Sequence, residues 1–196
     1  KSGARDGPAA IITASGQLED YDIELDCDIS QSGIHTVPEL VPNLGSMKEF
    51  IDQVDRLATQ VISDGKTPVL LGGEHTVSIG AVSASARRYP DIGALYLDAH
   101  GDLRDEYMGT RWGHASVARR LMEVCPVVHA GVRSLSADER LLISENSLPV
   151  HYWPTGLPTD EYASRLIDDL PSTVYVSIDL DVLDPSIMAA VGTPEP

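Results

Sequence analysis

Short apolar segments alternate with stretches of helical periodicity over most of the chain. The segments that predict strands are 68–71 (PVLL), 93–97 (GALYL), 127–132 (VVHAGV), 149–153 (PVHYW) and 173–178 (TVYVSI). Between them, two helices are predicted over about 76–89 and 114–124. Two more are predicted to begin at Ser136, with Glu139 in a capping box, and near Thr159. Apolar strands that alternate with helices are typical of a mostly parallel sheet. We therefore predict an α/β fold of three layers, in which helices cover both faces of a mostly parallel central sheet.

Two further elements are predicted before these strands. In 21–29 (YDIELDCDI) apolar and acidic residues alternate, which predicts a half-exposed strand near a sheet edge. In 46–65, Ser46 and Glu49 form a capping-box pattern and Gly65 marks the end, which predicts a helix. The apolar face of this helix is predicted to contain Phe50, Val54, Leu57, Ala58, Val61 and Ile62.

The charge balance is strongly acidic. Thirty acidic residues against fourteen basic ones give a net charge of −16. Such a surface repels nucleic acids and anionic membranes and favours a cationic small molecule. Because only Lys1, Lys48 and Lys66 are lysines, the same balance also suits a cytoplasm of high salt concentration.

Size and cysteine content indicate one globular domain. A length of 196 residues with 42% hydrophobic residues is enough for a single core. The chain has no apolar run of roughly 18 residues and begins without an apolar signal core, so we expect a soluble, cytoplasmic protein. Cys27 and Cys125 are far apart and outside any CxxC motif, which predicts reduced, buried thiols.

Polar residues stand where the predicted strands end. They are Glu74 and His75 after 68–71, Asp98, His100 and Asp102 after 93–97, Asp179 and Asp181 after 173–178, and His114 in a loop. Ligands of open parallel sheets bind at the carboxyl ends of strands. Side chains two positions apart in an extended segment point the same way, so we expect these groups to converge.

The converging groups predict a metal site. Carboxylates this close repel one another unless cations compensate them. Four aspartates and two histidines, with no thiolate, favour Mn²⁺ over a structural zinc. Six ligands are too many for one ion with an open position, and they suit two ions that share carboxylates. An Asp-x-His-x-Asp segment alone is more often solvated polar sequence or helix caps, so the prediction depends on all three strand ends together.

Other polar residues are assigned structural roles. Asp184, which precedes a proline, is predicted to be a turn residue. His35, His129 and His151 have no partners at ligand spacing. The segment 72–78 (GGEHTVS) lacks the spacing and the lysine of a phosphate-binding Walker loop.

Four motifs in this chain resemble those of the ureohydrolase family, which includes arginase, agmatinase, guanidinobutyrase and formimidoylglutamase. SGARDGPAAI is similar to the family's GARxGPxAIR segment, LGGEHTVSIG to GGDHS with Glu in place of Asp, LDAHGD to DAHxD, and SIDLDVLDP with GTPEP to SxDxDxxDP with GTP. The resemblance covers nearly the whole chain and is closest to agmatinase. It implies an arginase-like fold, a single ureohydrolase domain over 1–196 that lacks the family's first strand and C-terminal part, and a homo-oligomer, either a trimer or a hexamer.

The resemblance also implies a role for each site residue. One manganese ion would be held by His75, Asp98, Asp102 and Asp179, and a second by Asp98, His100, Asp179 and Asp181. Asp98 and Asp179 would bridge the two ions. Asp102 would pass a proton to the leaving amine, and His114 would exchange protons with solvent.

The loop LRDEYMGTRWGHAS after Asp102 is similar to agmatinase loops and lacks the Asn and Ser residues with which arginases hold a carboxylate. Arg104 and Arg111 are its evident carboxylate receptors, whereas Asp105 and Glu106 suit an amine. We therefore expect hydrolysis of agmatine to putrescine and urea, a step of polyamine biosynthesis. Arginine and guanidinobutyrate remain alternative substrates. A dinuclear phosphoesterase, a zinc deacetylase and a metal-free binding partner are rival functions.

Overall fold

The computed structural model describes residues 3–42 and 45–196. In these ranges the strands are β1 (Tyr21–Asp22), β2 (Cys27–Asp28), β3 (Ile92–Leu97), β4 (Val127–Val132), β5 (Val150–Tyr152) and β6 (Thr173–Ile178). The α-helices are α1 (Gly7–Ser15), α2 (Met47–Ser63), α3 (Ser78–Arg88), α4 (Val117–Leu121), α5 (Ala137–Asn146) and α6 (Thr159–Asp168). Short 3-10 helices precede α3 and α4, at His75–Val77 and His114–Ser116, and another follows β6 at Leu180–Val182.

The central sheet is parallel throughout. Its strand order is β5-β4-β3-β6, and each neighbouring pair is parallel. Parallel neighbours require crossover connections, which here contain the helices. The predicted α/β architecture of a parallel sheet flanked by helices is therefore confirmed. β3 lies between β4 and β6, so Tyr96 is beside His129 on one neighbour and Ser177 on the other.

Helix α2 begins and ends where its capping residues predict. The Ser46 side chain accepts a hydrogen bond from the Glu49 N–H at 3.2 Å, and Gly65 adopts a left-handed φ of 70° just beyond the helix. Its buried side chains are Ile51, Val54, Ala58 and Ile62. The buried face is thus rotated slightly from the predicted one, because α3 approaches it closely at Gly80. A Cβ atom at Gly80 would clash with the Ile51 carbonyl oxygen.

Two predicted strands are wrong. The segment 68–71 has no ladder partner among the described residues, and Val69 is 83% exposed. Only Leu70 packs against the cluster between α2 and α3, so the segment is extended but is not a strand. In 21–29, the Asp22 side chain accepts a hydrogen bond from Leu25 N–H, and Asp26 has a φ of 51°. Acidic side chains thus favour a turn there, which leaves only the short hairpin of β1 and β2.

Smaller differences concern one helix and one thiol. The helix predicted over 114–124 is a 3-10 turn followed by the five-residue α4. Both cysteines are free, but Cys27 is exposed, so its predicted burial is wrong. Asp184 does accept a hydrogen bond from Ser186 N–H at 2.8 Å, as expected of a turn residue. No helix in the described residues is long and apolar enough to cross a membrane.

A histidine lies inside the core behind β3. His129 on β4 is fully buried, and its ring is tilted against that of Tyr96 at 5.5 Å between centroids. Burial lowers the pKa of His129 to about 4. The imidazole is therefore neutral in the folded protein at neutral pH, as a structural role requires.

We predict that His129 makes the protein sensitive to acid. As the pH falls from about 6.5, the unfolded chain binds a proton that the folded chain does not accept until about pH 4, so the free energy of unfolding falls across this window. The loss is on the order of 3 kcal/mol. Urea unfolding at a series of pH values should show a smaller decline for His129→Leu than for the wild type. His35→Gln, which changes an exposed histidine, should decline like the wild type. Equal slopes for the wild type and His129→Leu would contradict the prediction.

Candidate functional site

The predicted site residues meet where three segments converge. Asp98 directly follows β3, and Asp179 directly follows β6. The Asp179 N–H donates to the Leu97 carbonyl oxygen at 2.8 Å, which extends the pairing of these strands to the first site residue. His75 begins the 3-10 helix that precedes α3, so the third segment lies outside the sheet strands. Residues more than a hundred positions apart are thereby brought into contact.

The first group surrounds the His75 imidazole. Its Nδ1 lies 3.0 Å from Asp98 Oδ2, 3.2 Å from Asp179 Oδ2 and 4.0 Å from Asp102 Oδ2. Ligand atoms of His75, Asp98 and Asp179 lie within 4.8 Å of one another and could hold a metal ion. Asp102 lies at the edge of this group, although it is nearly buried.

The second group surrounds the His100 imidazole. Its Nδ1 lies 3.2 Å from Asp98 Oδ1 and 3.2 Å from Asp181 Oδ2. Asp98 thus belongs to both groups, with one carboxylate oxygen facing each histidine. Asp179 belongs to the first group in this geometry, and its bridging role stays a prediction.

The Asp102 backbone is not extended, contrary to the expectation that Asp98, His100 and Asp102 share one side of a strand. Asp102 has a φ of 49°, in the left-handed region that most residues avoid. The next residue, Leu103, donates its N–H to Glu139 Oε1 at 3.0 Å. Glu139 also caps α5 through Ser136, so the capping box predicted from the sequence holds the site loop as well.

Polar residues behind the two groups were missed by the sequence analysis. Ser177 Oγ lies 2.8 Å from His75 Nε2, and Tyr96 donates its hydroxyl to Asp102 Oδ2 at 2.7 Å. Each lies two positions before a site aspartate and therefore on the same face of its strand. The sequence signal for these two residues was a polar hydroxyl side chain in an otherwise apolar strand, two positions before a site aspartate.

A single arginine holds the turn that carries Asp181. Arg133, just after β4, donates to the carbonyl oxygens of Asp181 at 2.8 Å, Val182 at 3.1 Å and Glu195 at 2.9 Å. Thr193 donates its hydroxyl to Asp181 Oδ2 at 3.0 Å. The segment 193–195 is therefore part of the wall around the second group.

The charges of the two groups are strongly coupled. Burial lowers the pKa of His75, but its contacts with Asp179 and Asp98 outweigh burial and raise that pKa to about 10. The carboxylates of Asp181 and Asp98 raise the pKa of His100 to about 11. Burial favours the neutral form of Asp98, but the two imidazoles outweigh it and lower its pKa. Burial and the charge of Asp98 raise the pKa of Asp102 well above its usual range. Each histidine is thus held against carboxylates, and this oxygen-rich donor set with imidazole suits divalent cations such as Mn²⁺.

Both groups open into a cavity of about 850 Å³. Glu74, Arg104, Tyr107, His114 and Glu139 also line it. The Nδ1 atom of His114 lies 3.7 Å from Glu74 Oε2, and the His114 side chain is 38% exposed. His114 therefore lines the same cavity as the two groups and is also accessible to solvent.

Three loop residues that were expected to select the substrate, Asp105, Glu106 and Arg111, lie outside the cavity lining. The Asp105 carboxylate pairs with Arg120 of α4 and with Arg111, and Arg111 also contacts Glu123 at 3.1 Å. The Asp105 pair attaches the first part of the loop to α4, and Arg111 attaches its later part to Glu123, just beyond that helix. Asp105 and Arg111 therefore shape the loop, and Arg104 is its arginine that faces the cavity.

Known proteins with similar sequences and structures share one family. The model described as "Arginase family" matches residues 1–196. The N(1)-aminopropylagmatine ureohydrolase of Thermus thermophilus is 38% identical over 99% of this chain and 67% of the relative. The agmatinase of Bacillus subtilis is 31% identical over 98% of this chain and 67% of the relative. The crystal structure of the agmatine ureohydrolase of Thermoplasma volcanium has a TM-score of 0.83 at 32% identity, over 99% of this chain and 66% of that one.

These matches cover this chain almost completely and about two thirds of each relative. They confirm the arginase-like fold and the resemblance to agmatinases. The relatives exceed 30% identity, and the family model spans every residue. The chain therefore belongs to the arginase family of ureohydrolases.

Proposed function

We propose that the protein is a dinuclear manganese hydrolase that cleaves agmatine to putrescine and urea. One observation carries the proposal: the two carboxylate oxygens of Asp98 face two His/Asp groups that line one cavity. A carboxylate in this position can bridge two ions. Loss of either group would leave a site for one ion only.

The proposed ligands follow the geometry with two additions. His75, Asp98 and Asp179 would hold one ion together with Asp102, while Asp98, His100 and Asp181 would hold the other together with Asp179. When bound, two divalent ions would supply a nucleophile at neutral pH by lowering the pKa of water towards ~7. The two histidines would offer Nδ1, the atom that faces the carboxylates in each group.

Two residues would move protons. Asp102 lies beside the first group and faces the cavity, so its carboxylate is placed to deliver a proton to the leaving amine. His114 is partly exposed and lies near Glu74, so it could exchange protons between cavity and solvent.

The cavity lining supports a cationic substrate without a carboxylate. Arg104 is the one arginine or lysine among the described lining residues. Its Nε lies 4.0 Å from Glu139 Oε2, and its guanidinium lies 5.1 Å from the Tyr107 ring centroid. Because Arg104 already has an acidic neighbour, it is a weak receptor for the carboxylate of arginine or guanidinobutyrate. The carboxylates around the cavity favour guanidinium and amine groups instead.

A second candidate substrate is N(1)-aminopropylagmatine. The Thermus relative that carries this substrate in its name is 38% identical, against 31% for the Bacillus subtilis agmatinase. A cavity of about 850 Å³ has room for either amine. We favour agmatine because its guanidinium and its single amine are sufficient to match the acidic groups of the lining, and no additional aminopropyl group is needed.

Urea release by the Mn²⁺-loaded protein will distinguish the substrates. We expect kcat/KM for agmatine to exceed that for arginine and guanidinobutyrate by at least about 100-fold, since either carboxylate would have to enter an acidic cavity. N(1)-aminopropylagmatine belongs in the same assay. A preference for it would replace agmatine, and a preference for arginine would contradict our interpretation of the lining.

Substitution of Asp98 should affect both ions. We expect Asp98→Asn to abolish most Mn²⁺-induced stabilisation, which for the wild type is about 2.7 kcal/mol for each ion at an ion concentration of 100 Kd. Asp181→Asn should lose one ion and keep the other. Asp184→Asn, in an exposed turn, is the control and should bind like the wild type. Calorimetric titration gives the number of ions, and two retained ions in Asp98→Asn would contradict the shared carboxylate.

Substitution of His114 should separate chemistry from ion binding. We expect His114→Asn to lower kcat by about 100-fold while two Mn²⁺ ions remain bound, because proton transfer is lost and the proposed ligands are not. His151→Asn changes a histidine that pairs with Asp169 outside the cavity and should leave kcat unchanged. Loss of bound manganese in His114→Asn would overturn the assigned role.

A further inference from the structure

Tyr96 is a buried phenol within the candidate site to which the proposed reaction assigns no role. It lies on β3, two positions before Asp98 and therefore on the same face of the strand. Its side chain is fully buried. Its hydroxyl acts as a hydrogen-bond donor to a carboxylate.

The Tyr96 side chain contacts two proposed ligands from different segments. Its hydroxyl donates to Asp102 Oδ2 at 2.7 Å and lies 3.0 Å from His75 Nδ1. Its ring stacks on the His75 imidazole, with 4.5 Å between centroids and 3° between planes. The stack fixes the plane of the imidazole, and the hydroxyl fixes the direction of the carboxylate.

Both ligands need such support. Asp102 lies in a loop with a left-handed backbone, and His75 lies in a short 3-10 turn. Neither segment belongs to the sheet. Tyr96, by contrast, is on the central strand, which pairs on both sides with β4 and β6. On the opposite side of His75, Ser177 Oγ lies 2.8 Å from Nε2 and donates to Ser78 Oγ at 3.2 Å.

We propose that Tyr96 is a positioning residue that orients His75 and Asp102 as ligands of the first metal ion. This inference depends on the proposed dinuclear function. The second group, around His100 and Asp181, is supported by other residues, since Arg133 and Thr193 hold Asp181 through its carbonyl oxygen and its carboxylate. Outer hydrogen-bond partners of metal ligands commonly contribute about 10–100-fold to metal affinity.

The test removes only the hydroxyl. Tyr96→Phe keeps the ring and the stack on His75 but takes the donor from Asp102. Calorimetric titration should show the affinity for one Mn²⁺ ion reduced about 10–100-fold and that for the other unchanged. Electron paramagnetic resonance should show uncoupled, single Mn²⁺ at ion concentrations at which the wild type shows the coupled pair.

Tyr162→Phe is the matched control. The Tyr162 hydroxyl accepts a hydrogen bond from Gly131 N–H at 3.0 Å and donates to the His151 carbonyl oxygen at 3.1 Å, and neither partner is a proposed metal ligand. This variant should lose stability in urea and bind both ions like the wild type. Unchanged binding of both ions by Tyr96→Phe would overturn the positioning role. Equal weakening of both ions would overturn it too, because a general loss of structure acts on both.

Measuring Mn²⁺ binding and urea release separately distinguishes a failure of this inference from a failure of the proposed function. Two ions bound by the wild type without urea release from any guanidino substrate would refute the hydrolase and leave the comparison of Tyr96→Phe with Tyr162→Phe intact. A wild type that binds fewer than two Mn²⁺ ions would refute both.

Discussion

The parallel pairing of β3 with β6 is the constraint on which the candidate site depends. These strands are far apart in sequence, and their hydrogen bonds continue past the strand ends to Asp179 N–H and the Leu97 carbonyl. The backbone pairing therefore makes Asp98 and Asp179 neighbours, independently of their side-chain conformations. A shift of the pairing by one residue would turn one of the two carboxylates to the opposite face of the sheet.

Carboxylates gathered in this way repel each other, and the surrounding residues must hold them. An isolated buried charge is costly, whereas a buried charge with hydrogen bonds and opposite charges is tolerated. Each group has its imidazole, and a layer of uncharged or capping groups lies behind both: Tyr96, Ser177 and Thr193 through hydroxyls, and Glu139 through a backbone N–H of the site loop. Such a layer restricts rotamers before any ligand arrives, which lowers the entropic cost of binding.

The parts of this molecule that the sequence predicts are those with strong local patterns. β3, β4 and β6 are continuous apolar runs, and α2 and α5 begin with capping residues, so their positions follow from local chemistry. The segment 68–71 has the same apolar pattern, but a strand also needs a hydrogen-bonding neighbour, and no local pattern records that neighbour. The turn after Tyr21 depends on side-chain hydrogen bonds of Asp22, which compete with the alternating pattern.

For the site, the identities of its acidic residues and histidines are evident from their spacing, and their arrangement is not. Asp102 has a left-handed backbone, and its loop is supported by Glu139 through the N–H of Leu103, 36 residues away in sequence. Only the fold reveals this contact. Asp105 was assigned to the substrate in the sequence analysis for the same reason, because its true partner is distant in sequence. An acid near a cationic substrate seemed favourable in sequence, but Arg120 arrives from α4 and takes it.

The attachment of this loop to α4 has a consequence for how the protein responds to salt. Arg120 is 1% exposed, so its pair with Asp105 is only partly accessible to dissolved ions, whereas Arg111 and Glu123 are each about half exposed. Screening weakens exposed pairs most. Rising ionic strength therefore weakens the pair of Arg111 with Glu123 before the pair of Arg120 with Asp105, so the two attachments of the loop differ in their sensitivity to salt.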